Sequence, residues 1–148
     1  MYRIAYPYDS DALEAKHPPF VQDLIAMRQA DQNEALQQIS KMVSALKELG
    51  LQCGFSKKLF KSPLYELKTH TRGGQKGGAR VYFFRSNDTF LICRAECKNG
   101  NQPDMELLES AAYILLAFQA GQAVFPKFIK NPVSKEQAWK TPKPEKPP

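Results

Sequence analysis

Cysteine and histidine are scarce in this chain of 148 residues, which contains three cysteines and two histidines. Cys93 and Cys97 lie on one predicted strand, where an extended backbone would separate them by about 13 Å, too far for a disulfide. Neither His17 nor His70 has a cysteine or a second histidine at zinc-finger spacing. We therefore expect no disulfide between the two strand cysteines, no metal site and no cofactor.

Long apolar runs are also missing. No segment approaches the roughly 18 apolar residues that a membrane span requires, and residues 1–11 lack the basic and apolar regions of a secretory signal. A length of 148 residues with 43% apolar composition is sufficient for one domain with its own core. We expect a cytoplasmic protein without a membrane partner, with a single domain over residues 1–126 and a Lys- and Pro-rich, disordered tail over residues 127–148.

Acidic residues are few in the middle of the chain. Residues 55–98 carry ten Lys or Arg against three Asp or Glu, a net charge of +7. The segments 1–54 and 99–126 carry −2 and −3, and residues 127–148 carry +4. This uneven distribution is typical of a surface that binds a polyanion, and a solvated basic face without a ligand is the alternative.

The hydrophobic pattern predicts an α+β domain. A strand at residues 2–8 precedes two helices, of which the first begins at Pro18 and Pro19 and the second runs from a capping box of Asp31 and Glu34 to Gly50. Three strands then form an antiparallel meander, and an apolar helix follows; these elements are predicted at residues 64–70, 79–86, 89–97 and 104–120.

Basic side chains are predicted to meet on one face of the meander. Side chains alternate between faces along a strand, which places Glu66, Lys68 and His70 on one face of the first strand. The same rule places Arg80 on one face of the second strand, opposite Val81. Lys68 and Arg80 can therefore lie side by side if the register is right.

Basic residues without a metal site or catalytic pairs of acids suggest phosphodiester chemistry. Such chemistry needs positive donors near the nonbridging oxygens and groups that move a proton at each end of the reaction. His70 is the side chain whose ordinary pKa is nearest neutral, although a histidine that is only hydrogen-bonded at a strand end is an equal alternative. The candidate catalytic residues are Lys68, His70, Arg80 and Lys98, and the candidate RNA-binding residues are Lys57, Lys58, Lys61, Arg72, Lys76 and Arg94.

A glycine-rich loop, TRGGQKGGAR, lies between the first two strands of the meander. It lacks the Gly-Lys-Ser/Thr of a phosphate-binding loop and the following helix of a dinucleotide fingerprint. We therefore expect a mobile hairpin tip that carries Arg72, Lys76 and Arg80 toward a backbone phosphate.

The order of these elements, with the motifs LYELK at 64–68, ARVYFF at 79–84 and TFLICRAECK at 89–98, resembles the RelE/ParE superfamily of type II toxins, in particular its HigB-like branch. The similarity covers residues 1–121. It implies a RelE-like fold, in which an N-terminal strand and a helical hairpin pack on an antiparallel β-sheet with a C-terminal helix.

The resemblance also implies a function. Such a toxin of a toxin-antitoxin system is a metal-independent, ribosome-dependent mRNA endoribonuclease that inhibits translation, in which the substrate 2′-hydroxyl attacks the adjacent phosphate. By position, Arg80 would stabilise the transition state, Lys68 would contact phosphate or move a proton, and Lys98 would be a second basic position. The implied partners are mRNA on the ribosome and a cognate antitoxin protein.

The chain also departs from the HigB-like pattern. A single lysine, Lys98, follows the last strand where the family has a basic cluster, and the loop at residues 71–78 is longer than the family's turn. Two alternatives therefore stay open: a ParE-type inhibitor of DNA gyrase, and a noncatalytic RelE-fold module that binds RNA or protein.

Overall fold

A computed structural model describes residues 1–8, 17–59, 62–70, 78–98, 103–120 and 126–127. The predictions for Lys61, Arg72, Lys76, most of the glycine-rich loop and all but the first residue of the tail lie outside these residues. The elements are, in chain order, β1 (Arg3–Pro7), α1 (Pro19–Gln29), α2 (Asn33–Leu49), a 3-10 turn (Gly50–Gln52), β2 (Ser56–Lys58), β3 (Tyr65–Lys68), β4 (Ala79–Ser86), β5 (Thr89–Cys97), α3 (Met105–Gln119) and β6 (Pro126–Lys127). The α+β class is confirmed.

The strands form one sheet in the order β2-β3-β4-β5-β1-β6. Strands β2 to β5 are antiparallel neighbours, which confirms the predicted meander and extends it by the unpredicted β2. β1, however, is parallel to β5, so the expectation of an antiparallel sheet was wrong and the sheet is mixed. The helical hairpin and three further strands separate β1 from β5 in the chain, and a connection of that length can return a strand in either direction.

The helices α1 and α2 pack on one face of the sheet. Side chains that alternate along β4, such as Val81 and Phe83, meet Phe20 of α1 and Met42 of α2 in a continuous buried core. The buried side of α2 consists of Ala35, Ile39, Met42 and Leu46, while Leu49 at its end is 58% exposed.

The helix α3 packs on the opposite face. Ile114 and Leu115 of α3 join Tyr82 and Phe84 of β4 in a second core. The opposite side of this apolar helix is open, since Leu116 is 62% exposed. None of the described helices combines the length and the apolar character that crossing a membrane requires.

The ends of α2 show one prediction that failed and one that held. Asp31 has a left-handed backbone, with φ of 60°, and accepts a hydrogen bond from the Asn33 side chain, so Gln32 is the N-cap and no capping box forms. At the other end Gly50 is the C-cap, as predicted, with φ of 68°. This backbone conformation favours glycine, and a Cβ at Gly50 would lie 2.6 Å from the Tyr2 ring, so a larger residue would also displace that ring.

A cationic cluster as the candidate active site

Three basic side chains from neighbouring strands gather at one end of the sheet. Lys68 is directly opposite Arg80 in the pairing of β3 with β4, which confirms that the two lie on one surface. Lys98 follows the end of β5, and its backbone N–H donates to the carbonyl of Gly78, just before β4. We call Lys68, Arg80 and Lys98 the cationic cluster.

Arg80 is held by a buried carboxylate. Its Nη1 donates to Glu66 Oε2 at 2.7 Å, and the two side chains are 3% and 5% exposed. Glu66 lies on β3, two residues before Lys68, so the period of the strand places its carboxylate on the same face as the cluster. A buried ion pair of this kind fixes the orientation of the guanidinium but also restricts its access to a ligand.

Lys98 is buried among like charges. The residue is 7% exposed. Burial, followed by the positive charges of Lys68 and Arg80, lowers the pKa of the Lys98 ammonium, and the Glu66 carboxylate opposes this shift. A lysine with a lowered pKa releases its proton more readily than a solvated lysine, so Lys98 is the group of the cluster best suited to proton transfer.

A second carboxylate connects the cluster to α3. Glu96 of β5 is directly opposite Arg80 in the pairing with β4. Its Oε2 accepts hydrogen bonds from the Tyr82 hydroxyl at 2.6 Å and from the Asp104 backbone N–H at 3.0 Å. Asp104 in turn caps α3 by accepting from the N–H groups of Glu106 and Leu107. The N-terminal end of α3 is therefore held beside the cluster.

His70 is placed at the edge of this arrangement. Because β3 ends at Lys68, the alternation of side chains does not continue to His70. Its Nε2 lies 2.9 Å from the Gly54 carbonyl, and its ring stacks on Phe55 with centroids 5.1 Å apart. These contacts tie His70 to the segment before β2 and do not bring it to the cationic cluster, so its proposed catalytic role stays a prediction.

Arg94 has a different environment from the one that the sequence suggested. Its Nε and Nη2 donate to the two carboxylate oxygens of Asp23 on α1, each at 2.8 Å, and its Nη1 donates to Ser110 Oγ on α3. The same Asp23 carboxylate also accepts from the Ala95 backbone N–H. Arg94 therefore connects α1 and α3 to β5 through its guanidinium, and its predicted contact with RNA finds no support in this geometry.

The remaining described RNA-binding candidates lie on the edge strand. Lys57 and Lys58 of β2 are both exposed. Lys57 is opposite Glu66, on the face of the cationic cluster, and Lys58 is opposite Tyr65, on the other face. The edge of the sheet thus presents a positive charge to each side.

Sequence reasoning missed the two carboxylates that organise the site. Glu96 was counted only as a charge, and Glu66 was placed on the face of Lys68 but given no role in the site. The hydroxyl of Tyr82 and the cap of α3 complete the network, and only the register of β4 with β5 shows that Glu96 reaches them.

The comparisons with known proteins add no relative. No family model, no curated protein and no solved structure matches this chain.

Among the described residues, no three His, Cys, Asp or Glu side chains lie close enough together to hold a metal ion.

Proposed function

We propose that the protein is a metal-independent endoribonuclease that cuts mRNA on the ribosome and so inhibits translation, as the toxin of a toxin-antitoxin pair. The observation that carries the proposal is the convergence of Lys68, Arg80 and Lys98 beside Glu66, with the pKa of Lys98 lowered by burial and by the two neighbouring cations. A phosphodiester in this position meets positive charge and a group able to move a proton.

The proposed chemistry uses the substrate, these side chains and water. The 2′-oxygen of one nucleotide loses its proton to Lys98 in its neutral form and attacks the adjacent phosphorus. The bond from phosphorus to the 5′-oxygen breaks, the protonated Lys98 or a water returns a proton to that oxygen, and the products are a cyclic phosphate and a 5′-hydroxyl. Lys68, which is half-buried, binds a nonbridging oxygen, and Arg80 stabilises the added negative charge.

A RelE-like fold is part of the same proposal. The strand, the helical hairpin, the meander and the terminal helix occur in the order that the resemblance implies, and the LYELK motif supplies both Glu66 and Lys68. An antitoxin with an acidic segment would fit over the exposed lysines at this edge, because opposite charges favour such a contact.

One observation favours a second candidate function. Arg80 and Glu66 are nearly inaccessible, and a buried ion pair can serve only to specify the structure. In that case the protein is a noncatalytic module that binds RNA through its exposed lysines and cuts nothing.

Primer extension on an mRNA translated in a purified system tests the proposal. The variants are Arg80→Ala, Lys68→Met and Lys98→Met. Lys68→Met leaves the Arg80–Glu66 ion pair in place, so it keeps the test valid if Arg80→Ala does not fold. Arg28→Ala, which removes an exposed positive charge from α1, is the matched control for Arg80→Ala.

Cleavage within ribosome-bound codons by the wild type and by Arg28→Ala, but not by the cluster variants, is the expected result. Cleavage retained by all three cluster variants would remove the cluster from the mechanism. No cleavage by folded wild type, together with binding of RNA, would select the noncatalytic module, and inhibition of gyrase supercoiling would select the ParE-type alternative.

A further inference from the structure

A groove separate from the cationic cluster lies at the opposite end of the sheet. It has a volume of about 430 Å³ and is lined by Lys58, Pro63, Tyr65, Arg85 and Asn87. Lys58 is opposite Tyr65, and Tyr65 is opposite Phe83, in the pairing of β2, β3 and β4. Phe83 belongs to the core under α1 and α2, so the groove opens on the face of the sheet away from α3.

Aromatic packing holds the walls of the groove. The Tyr65 and Phe83 rings stack with centroids 5.4 Å apart and an interplanar angle of 19°. The Arg85 guanidinium lies 5.5 Å from the centroid of the Tyr2 ring and 5.6 Å from that of Phe90. Its Nε donates to the Asn87 carbonyl at 2.8 Å, in the turn between β4 and β5. The positive charge of Arg85 is therefore fixed at one wall.

The charge of the groove is positive. Lys58 and Arg85 are both exposed, and none of the described lining residues is acidic. Two acids adjoin the lining residues in the chain: Glu66, whose carboxylate pairs with Arg80, and Asp88, which accepts a hydrogen bond from the Thr89 hydroxyl at 3.2 Å. An anion that enters the groove thus meets two cations beside an aromatic ring and a proline.

This combination fits a nucleotide better than an acidic peptide. Sites for single-stranded nucleic acid combine cations that follow the backbone with aromatic rings on which bases stack. The volume lies at the lower end of the range of small-ligand sites, of about 300 to 1,000 Å³, which suits one nucleotide. A carboxylate-rich peptide would use the cations but gain little from Tyr65 and Pro63.

The edge strand connects the groove to the cationic cluster. Lys57 and Lys58 are consecutive, and the alternation of β2 turns Lys57 toward the face of Glu66 and Lys58 toward the groove. A single strand of RNA that passes around this edge therefore meets positive charge on both faces.

We propose that the groove binds one nucleotide of single-stranded RNA, with its phosphate between Lys58 and Arg85 and its base against Tyr65 and Pro63. The groove adds a contact beyond the cluster and holds the RNA strand as it crosses the edge of the sheet. This inference rests on RNA being the ligand, as in the proposed function, but it does not depend on cleavage.

Fluorescence anisotropy with a labelled oligouridylate of about ten nucleotides, comparable to the span of one single-strand-binding fold, tests the groove. The variants are Lys58→Gln, Arg85→Gln and the double variant, measured over a series of salt concentrations. Lys41→Gln and Arg28→Gln on the helices are the matched controls for loss of one lysine and one arginine. Because Arg85 packs over two rings, thermal unfolding of each variant is recorded, and the exposed Lys58 provides a variant outside the core.

The double variant is expected to bind the RNA roughly tenfold more weakly, with a salt slope reduced by about 1.4, since each phosphate contact contributes about 0.7 for single strands. The control variants should match the wild type. Equal binding by Lys58→Gln and Lys41→Gln, or an equal loss of binding to labelled decaglutamate, would overturn the assignment to a nucleotide.

The outcomes for the groove and for the nuclease are separable. Binding that depends on the groove, in a wild type that does not cut, would reject the nuclease and retain the groove. If cleavage depends on Lys68 and Lys98 but the affinity for RNA does not change on substitution of Lys58 and Arg85, the nuclease is retained and the groove is rejected.

Discussion

The buried ion pair of Arg80 with Glu66 is the residue-level feature on which the proposed site depends most. Removing one member of a buried pair leaves the other charge without compensation, which costs about 3 to 5 kcal/mol. We expect Arg80→Ala to lose that amount in the free energy of unfolding, measured in urea. The double variant Arg80→Leu with Glu66→Leu should recover most of the loss, because apolar residues of similar size replace such pairs well.

The double variant also separates structure from chemistry. If Arg80 acts on phosphate, the double variant folds stably and does not cut RNA. A cost below about 1 kcal/mol for Arg80→Ala, the range of exposed ion pairs, would contradict the burial on which this prediction rests.

Lys98 provides a prediction about pH. Its pKa is lowered in the folded protein from an ordinary value of 10.5, so the folded state holds this proton less tightly than the unfolded state. At a pH where Lys98 is charged in both states, the free energy of unfolding is therefore smaller than it would be without the shift. It rises with pH between the lowered pKa and 10.5. Lys98→Met should be more stable than the wild type at neutral pH, with a difference that shrinks as pH rises toward 10.5.

Thermal and urea unfolding across this pH range provide the measurement, with Lys57→Met on β2 as the exposed-lysine control.

The same variant also tests the chemistry. Loss of a proton-transfer group lowers the rate by about 100-fold or more, so the stabilised Lys98→Met variant should still lose RNA cleavage. A variant that is destabilised at neutral pH would show that the Lys98 charge is favourable where it lies.

Among the elements, α1 is joined to β5 by one carboxylate in addition to their apolar packing. Asp23 receives two hydrogen bonds from Arg94 and one from the Ala95 backbone. A hydrogen bond to a charged group contributes about 1.5 to 3 kcal/mol, so Asp23→Ala should cost about 2 kcal/mol or more in the free energy of unfolding. Glu48→Ala, at an exposed position of α2, should change it by less than about 0.5 kcal/mol.

A double-mutant cycle with Arg94→Met isolates the pair. We expect a coupling free energy of about 1 to 3 kcal/mol, which is the range for residues in one hydrogen-bond network. Additive losses would show that α1 is held by its apolar face alone.

At the element level, most boundaries could be predicted because each depends on neighbouring residues. The strand Ala79–Ser86, the turn at Asn87 and the cap of α3 at Asp104 follow from alternation and turn chemistry. The start of α2 was missed because Asp31 takes a left-handed backbone, which moves the cap by one residue. The parallel entry of β1 was missed because no local pattern specifies the direction in which a distant strand joins a sheet.

For the whole molecule, the sequence predicted where the basic residues would lie but not which side chains they would contact. Alternation predicted that Lys68 and Arg80 could share a surface, given the right register, and the pairing of β3 with β4 supplies that register. It could not show that Glu66 pairs with Arg80, that Glu96 accepts from Tyr82 and Asp104, that Asp23 engages Arg94, or that Arg85 and Tyr65 line a groove. Each of these depends on side chains from elements that are distant in the chain, and only the packing of the layers brings them together.

The distribution of charge leads to a prediction for the molecule as a whole. The net charge of +6 is unevenly distributed, since residues 55–98, which contain β2 to β5, carry +7 and residues 1–54, which contain α1 and α2, carry −2. The affinity for RNA that follows the edge of the sheet should therefore depend on the lysines of β2 and not on equal charges on the helices.

Two double variants test this prediction, and each lowers the net charge by two. One combines Lys57→Gln with Lys58→Gln on β2, and the other combines Arg28→Gln with Lys41→Gln on the helices. The β2 pair should reduce the salt slope of RNA binding by about 1.4, and the helix pair should leave it unchanged, because only phosphate contacts release counterions. Equal reductions by both pairs would mean that overall charge, and not this edge, attracts the RNA.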